Sequence, residues 1–513
     1  MTEHGPRSME DRVLKISNTA SGKKEAVTFL KQGPVTLYVC GMTVYDDCHL
    51  GHARSAIVFD VIRNYLKYKG YAVRYVKNYT DIDDKIIDRA RQEGRDWKEI
   101  SDRYIASYER DMRRLHVRPP NLRPKATEHI PEMVALVRRL MSKGMAYDVD
   151  GDVYFKVESF AEYGKLSRQK TDEMITGARV EVDRKKKNPL DFVLWKRAKP
   201  GEPSWESPWG AGRPGWHLEC SAMAIAHLGE TIDLHGGGED LIFPHHENEI
   251  AQSEASTGKP FVSCWIHHGF VTTDREKMSK SLGNFFTVDE IFRKSSQFPE
   301  IVIAEVLRFY LLSTHYRSPI DFSDGSLGVA KSGLDRFYVL FQKMDEAAAH
   351  PEGHEGQWTE GDPFQSAFEA AMDDDFNTAK AIAVLQTLCS EINHRLSNGD
   401  ANSALAGCRL IQRLGKTLGL FQIAHRHWRY PTWDIVVKKT PDQHRMAHSG
   451  MDAATSTALE EHLSEETIQK LVRDREAARL GKNWGKSDEI RERLARFGVI
   501  LEDRSDGTTR IKR

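Results

Sequence analysis

The stretch Thr36-Leu37-Tyr38-Val39-Cys40-Gly41-Met42-Thr43-Val44-Tyr45-Asp46-Asp47-Cys48-His49-Leu50-Gly51-His52 decides the fold. Its first five residues are a short apolar run, which predicts a buried strand. Arg54 to Lys69 follows with Ile57, Val58, Val61, Ile62, Tyr65 and Leu66 on one helical face. Gly70 ends that helix, and Tyr71 to Tyr79 reads as a second strand. Strand, helix and strand in this order make a right-handed parallel crossover, with Asp81 expected to cap the next helix. Ligands of open parallel sheets bind beyond the carboxyl ends of the strands. Cys40, Gly41 and Thr43 fall there at the first strand and Thr80 at the second.

The His49-Leu50-Gly51-His52 end of the stretch has a distant counterpart in Lys277-Met278-Ser279-Lys280-Ser281. Small residues admit an anion to the backbone, and imidazoles and ammoniums surround it, so the pair suits nucleotide phosphates. Each motif alone is ambiguous: His49 and His52 also suit a helix terminus, and Lys277 and Lys280 a solvated surface loop. Gly236-Gly237-Gly238-Glu239-Asp240 is expected after a strand, where a nucleotide could lie on Gly237 and offer its ribose to Asp240; a plain turn is the alternative.

Four residues stand out as metal ligands: Cys40, Cys220, and the pair His245 and Glu249, which face the same way at i and i+4 on a helix expected to begin at Pro244. Two thiolates, an imidazole and a carboxylate suit zinc. Burial of Cys40 and Cys220 as small hydrophobes, with His245 as a cap, is the alternative.

A chain of 513 residues can bury several cores. A formal charge of −1 with 29% charged residues excludes a globally basic nucleic-acid binder and leaves room for a local surface. Six cysteines make no disulfide framework, Met1 to Arg12 has no apolar core of a signal peptide, and no apolar run is long enough to span a bilayer. A reduced, cytoplasmic protein without membrane spans is expected. The parallel-sheet domain is expected to occupy residues 1–118 and 206–272, split by an insertion at 119–205 that holds a helix from Pro131 to Lys143 and a hairpin from Tyr147 to Phe155. After residues 273–320, a helical bundle is expected at 321–422, a polar linker at 423–460, and a small unit at 461–513 with a helix followed by a hairpin.

The chain resembles the cysteinyl-tRNA synthetase family of class I aminoacyl-tRNA synthetases, bacterial type. The resemblance rests on VCGMTVYDDCHLGHAR at 39–54, NYTDIDDKI at 78–86, NPLDFVLWK at 188–196, GWHLECSAM at 215–223, DLHGGGEDLIFPHHENEIAQSEA at 233–255 and DREKMSKSLGN at 274–284. Leu501-Glu502-Asp503 also resembles the family's anticodon-binding end. The departures are Leu50 where isoleucine is usual, and an unplaced segment at 423–460.

The resemblance implies an α/β chain: a split Rossmann-type catalytic domain, a stem-contact region at 273–320, the bundle, and an α+β anticodon-binding unit. It implies one zinc on Cys40, Cys220, His245 and Glu249; an amino-acid pocket at Gly41, Thr43, Thr80 and Trp216; and catalysis by His49, His52, Lys277 and Lys280, with Lys280 as the mobile lysine. ATP with Mg2+ would meet His49, Gly51, His52, Gly237, Asp240 and Lys280, and the anticodon Arg479, Trp484, Asp488 and Asp503. The implied reaction forms cysteinyl-adenylate from L-cysteine and ATP, then charges tRNA(Cys), in a monomer. Two other readings are a related ligase joining cysteine to an aminosugar, which lacks the anticodon-binding end, and a catalytically silent RNA-binding relative.

Overall fold

The computed structural model describes residues 13–30, 33–169, 185–273, 276–277, 286–348, 362–431, 433, 465–480, 483–496, 499–503 and 509–512. At its centre is a four-stranded parallel sheet in the order Val262–His268, Ile232–Gly238, Val35–Val39, Val73–Lys77. The Leu50–Tyr68 helix makes the first crossover. Strands alternate their side chains between two faces, and this one does so cleanly. Leu37 and Val39 join the core shared with the Leu50–Tyr68 helix, whereas Tyr38 and Cys40 join the core on the other side.

The chain leaves Val35–Val39 toward one edge of the sheet and re-enters at Ile232–Gly238 toward the other. The gap between these two strands is therefore a topological switch point, where a crevice opens beyond the carboxyl ends. Cys40 and Gly41 lie at one lip and Gly238 at the other, with the Cys40 N–H donating to Gly236 O (3.3 Å).

Before re-entering, the chain builds the Ile130–Ser142 helix and an antiparallel sheet of Ala146–Val149, Asp152–Phe155, Phe192–Arg197 and Gly212–Pro214. The core under it joins Leu136, Val137, Phe155 and Trp195 to Ile232 and Trp265 of the central sheet. Downstream, helices Val288–Lys294, Glu300–Leu312, Asp324–Ala348, Pro363–Asp373, Thr378–Ser397 and Ala401–Leu418 share the core of the Leu50–Tyr68 helix. Polar ties reinforce that contact: Tyr65 Oη donates to Asp373 (2.6 Å), and Arg308 pairs with buried Asp60. Residues 423–431 and 433, expected as the start of a linker, pack on this bundle. Trp428 stacks on Tyr338 at 3.9 Å, and Trp433 on Phe298 at 4.7 Å. Residues 434–460 lie outside the described residues. The C-terminal helices Glu465–Leu480 and Trp484–Arg496 and the Ile500–Asp503/Thr509–Lys512 hairpin enclose a small core of Ile468, Val472, Ile490, Leu494, Val499 and Leu501.

Three local expectations are corrected. Asp81 does not cap the next helix: its carboxylate accepts from Thr127 N–H and Oγ1, and Asp83, in extended backbone, caps Asp84–Glu93 by accepting from Lys85 N–H. Pro244 does not begin a regular helix. It follows a cis peptide bond inside a wide turn at Ile242–His246, and the regular helix is Glu247–Thr257. Gly236, Gly237 and Gly238 lie inside a strand and not in a turn after it. Close packing explains the glycine: a Cβ on Gly236 would strike the Phe59 ring and come within 2.7 Å of Ile266 O.

Candidate active site and metal-binding cluster

Three elements at the switch point bring the ligand candidates together. Cys40 directly follows the Val35–Val39 strand, Cys220 sits in the Trp216–Leu228 helix, and His245 with Glu249 spans the turn into Glu247–Thr257. Cys40 Sγ lies 3.5 Å from Cys220 Sγ, 3.4 Å from His245 Nε2 and 3.3 Å from Glu249 Oε1. His245 Nε2 is 3.0 Å from Glu249 Oε1, so the i, i+4 relation survives although the turn is not a regular helix. All four side chains are buried, and their donor atoms lie within 4.8 Å of one another, a set that could hold one metal ion.

Protons are shared unequally inside the cluster. Burial and Cys220 push the Cys40 thiol well up, while the hydrogen bond with Cys40 draws Cys220 down to about 6. Burial resists charge on Glu249, but His235 and His245 outweigh it and hold the carboxyl down at about 2. Burial equally resists charge on His245, which Glu249 and Cys220 raise to about 10. A thiolate and a carboxylate are the anionic donors a divalent ion requires, and His245 joins them as a ligand by giving up its ring proton.

A second combination, Cys40, His235, His246 and Glu249, also converges. His235 Nε2 is 3.0 Å from Glu249 Oε2, and His246 Nδ1 is 2.7 Å from His267 Nε2. The density of histidines from 217 to 268 was the available sequence signal; which of them touch the cluster depends on strand register that spacing does not reveal. Asn78 was not anticipated: its Oδ1 accepts from Gly41 N–H (2.8 Å) and lies 3.7 Å from Cys220 Sγ, tying the Gly41 lip to the Trp216–Leu228 helix.

A cavity of about 620 Å³ joins this cluster to the first signature, lined among others by Cys40, Gly41, Thr43, His49, Gly51, His52, Trp216 and Asp240. His49 caps the Leu50–Tyr68 helix, its Nδ1 accepting from Gly51 N–H (3.0 Å), while His52 Nδ1 accepts weakly from His49 N–H (3.5 Å). Both rings therefore carry their proton on Nε2, stacked at 3.7 Å at a helix N-terminus. Burial, with His49 and Lys77 nearby, holds His52 well below the ordinary imidazole range. It is a neutral hydrogen-bond donor.

Trp216 is 39% exposed and stacks on His245 at 4.4 Å, forming one wall. Thr80 is buried behind the lip, where its N–H donates to Met42 O (3.3 Å) and its hydroxyl accepts from Asn78 (3.4 Å). Gly237 is buried in its strand, and Asp240 stands in the short turn Glu239–Leu241 at the cavity edge. The Lys277 backbone pairs with Thr272, and Lys280 lies outside the described residues. In the C-terminal unit Arg479 and exposed Asp488 are on the two helices, Trp484 opens the second helix with 59% of its surface exposed, and Asp503 ends a hairpin strand.

Comparison with known proteins accounts for this arrangement. The model of the class I (C) tRNA synthetase catalytic domain matches residues 26–332, the DALR domain 367–422, and the cysteinyl-tRNA ligase anticodon binding domain 463–509. The chain is 50% identical over 503 residues to the cysteine–tRNA ligase of Geobacter sulfurreducens, covering 97% of this chain and 99% of that one. It is 48% identical to that of Thermodesulfovibrio yellowstonii, covering 96% and 99%. Among solved structures, Mycobacterium tuberculosis methionyl-tRNA synthetase bound by methionyl-adenylate shares the fold, with a TM-score of 0.59 at 14% identity over 75% of this chain and 92% of that one. The chain, an α/β enzyme with a class I catalytic domain, belongs to the cysteine–tRNA ligase family.

Proposed function

We propose that the protein activates L-cysteine with ATP to cysteinyl-adenylate and transfers the cysteinyl group to the 3′-terminal adenosine of tRNA(Cys). The observation that carries this reading is a single cavity that reaches Cys40 of the two-thiol ligand cluster at one end and two imidazole donors on a helix N-terminus at the other. The donor set Cys40, Cys220, His245 and Glu249 fits zinc better than the alternative set, because it offers two sulfurs. Zinc, when bound, supplies a ligand position that takes the substrate thiolate and not a serine hydroxyl.

The protein's own groups then position the reactants. Trp216 closes the amino-acid end, with Gly41 and Thr43 beside it and Thr80 bracing the lip from behind. His49 and His52 offer two Nε2–H donors to the phosphates, and Gly51 keeps the backbone close: a Cβ there would come to 2.8 Å of the His49 ring. The substrate carboxylate is already ionised, so no general base is needed, and rate comes from in-line placement and charge stabilisation. Asp240 serves the ribose across the backbone at Gly237, Mg2+ accompanies ATP, and Lys277 and Lys280 complete the phosphate site. Trp484, Arg479, Asp488 and Asp503 read the anticodon, Trp484 by stacking on an unpaired base.

The alternative ligase that joins cysteine to an aminosugar is disfavoured by the match of residues 463–509 to an anticodon-binding model. Cysteine-dependent exchange of labelled pyrophosphate into ATP, with elemental analysis of the purified protein, tests the reading. The expected outcome is exchange with cysteine and not serine, one zinc per chain, and label transfer to tRNA(Cys). No exchange with cysteine refutes the adenylation chemistry, and transfer to an aminosugar instead of tRNA refutes the acceptor.

A further inference from the structure

Lys77 is a buried cation that the reaction as described above does not use. It ends the Val73–Lys77 strand, its N–H donating to Leu122 O (3.1 Å), and is 8% exposed. Tyr75, two residues earlier, faces the core of the Leu50–Tyr68 helix, so strand alternation sends Lys77 to the same face, beneath that helix's N-terminus. There it lines the substrate cavity with His49, His52 and His268. It also forms, with Tyr108, the wall of a second cavity of about 260 Å³, and Nζ lies 5.5 Å from the Tyr108 ring. Among the described residues no carboxylate forms an ion pair with its ammonium; Glu109 shares the wall of the second cavity and Asp47 that of the first. Burial pushes the ammonium down to about 8. A buried cation without a counter-ion is costly to keep, and an anionic ligand offsets that cost.

Adenylation brings two anions into the cavity. The amino-acid carboxylate arrives on the Cys40 and Trp216 side, and Cys40 faces the opposite core from Lys77. The phosphates arrive at His49 and His52, the side on which Lys77 lies. We propose that the Lys77 ammonium contacts the α-phosphate of ATP and is a catalytic residue of adenylate formation, which rests on the adenylation reading above. A carboxylate oxygen forms the new bond to the α-phosphorus while the bond to the bridging oxygen breaks, and pyrophosphate leaves with that electron pair. Lys77 moves no proton. Its charge opposes the negative charge that grows on the non-bridging oxygens.

The test uses the full-length, zinc-loaded protein with Lys77→Met and Lys77→Arg, and compares AMP with adenosine by calorimetry. Lys77→Met is expected to weaken AMP roughly tenfold or more while leaving adenosine unchanged, and to slow single-turnover adenylate formation about 100-fold. The KM for cysteine and the zinc content stay at wild-type values, and Lys77→Arg restores AMP affinity to within several-fold. Equal losses for AMP and adenosine, or an adenylate rate near wild type, overturn the proposal. Should Lys77→Met fail to fold, Lys77→Gln gives the same comparison of AMP with adenosine. Wild-type protein without cysteine-dependent exchange would instead defeat the adenylation reading itself.

Discussion

Replacing Arg54 with Met should detach the signature helix from the far side of the site. Arg54 lies in the first turn of the Leu50–Tyr68 helix, fully buried, and its guanidinium donates to Gly269 O (2.9 Å), Phe270 O (2.7 Å), Tyr316 O (3.0 Å) and, with Nη2, to His315 O and Ser318 O. Hydrogen bonds with a charged partner contribute roughly 1.5–3 kcal/mol each, so the gross interaction is on the order of 8 kcal/mol. Much of it is recoverable. Gly269 O keeps His268, Phe270 O keeps Ile320 N–H, Tyr316 O keeps Gly269 N–H and His315 O keeps Ser318 N–H, which leaves Ser318 O alone without a second donor among the described residues. Methionine also removes the buried charge, whose desolvation holds Arg54 down at about 10. The net loss should be about 3 kcal/mol, at the lower end for breaking a buried charged contact. Arg54→Lys should lose nearly as much, because an ammonium cannot fork to five carbonyls. The assay is a urea titration of the first cooperative transition, paired with adenylate formation, since Gly269 and Phe270 line the same cavity as His49 and His52. A loss under about 1 kcal/mol, with normal adenylate formation, would refute the reasoning.

Trp484→Ala should lower tRNA charging and leave pyrophosphate exchange intact, as its 59% exposure allows; loss of both would mark it as structural. Lys280→Ala should slow adenylate formation about 100-fold with little change in cysteine binding, and equal losses in the two would remove it from the chemistry. Glu305 accepts from Tyr338 Oη (2.7 Å) and Phe421 N–H (2.9 Å), and burial raises its carboxyl to about 7. The folded chain thus holds a proton that the unfolded chain releases near pH ~4.3, so this contribution is complete below about pH 4 and fades by about pH 7, roughly 4 kcal/mol in all. Glu305→Gln keeps an oxygen for both donors and should flatten the fall in stability across that window; an unchanged slope in urea titrations at stepped pH would show that another group sets it.

What the sequence discloses here follows the range of the physics. Local periodicity gave the Leu50–Tyr68 helix and the parallel crossover, and the apolar run at 36–40 gave a buried strand, while the facing of Leu37 and Val39 against Tyr38 and Cys40 comes from the two cores that flank it. The separation of His245 and Glu249 held because His246 already has right-handed helical backbone and runs straight into the regular Glu247–Thr257 helix, so four residues still make about one turn. Where the reading failed, a distant partner decided. Asp81 and Asp83 are equivalent as local caps, and Thr127, 46 residues from Asp81, claims one of them. Three consecutive glycines read as a turn, but Phe59 and Ile266 O crowd the first and Leu241 and His246 the second, so a strand without side chains is what fits. Arg54 and Lys77 look like ordinary cations of a helix and a strand; one becomes a clasp and the other a buried charge only through residues on other elements of the fold. The same asymmetry separates the two ends of the site. The proposed phosphate end is carried by His49 to His52, a contiguous string that makes its own cap, so it is legible without the fold. The proposed thiol-selecting end is assembled from four residues on three elements around a switch point, and its ligand chemistry converges only when strand order places Cys40 beside the segment that bears His245.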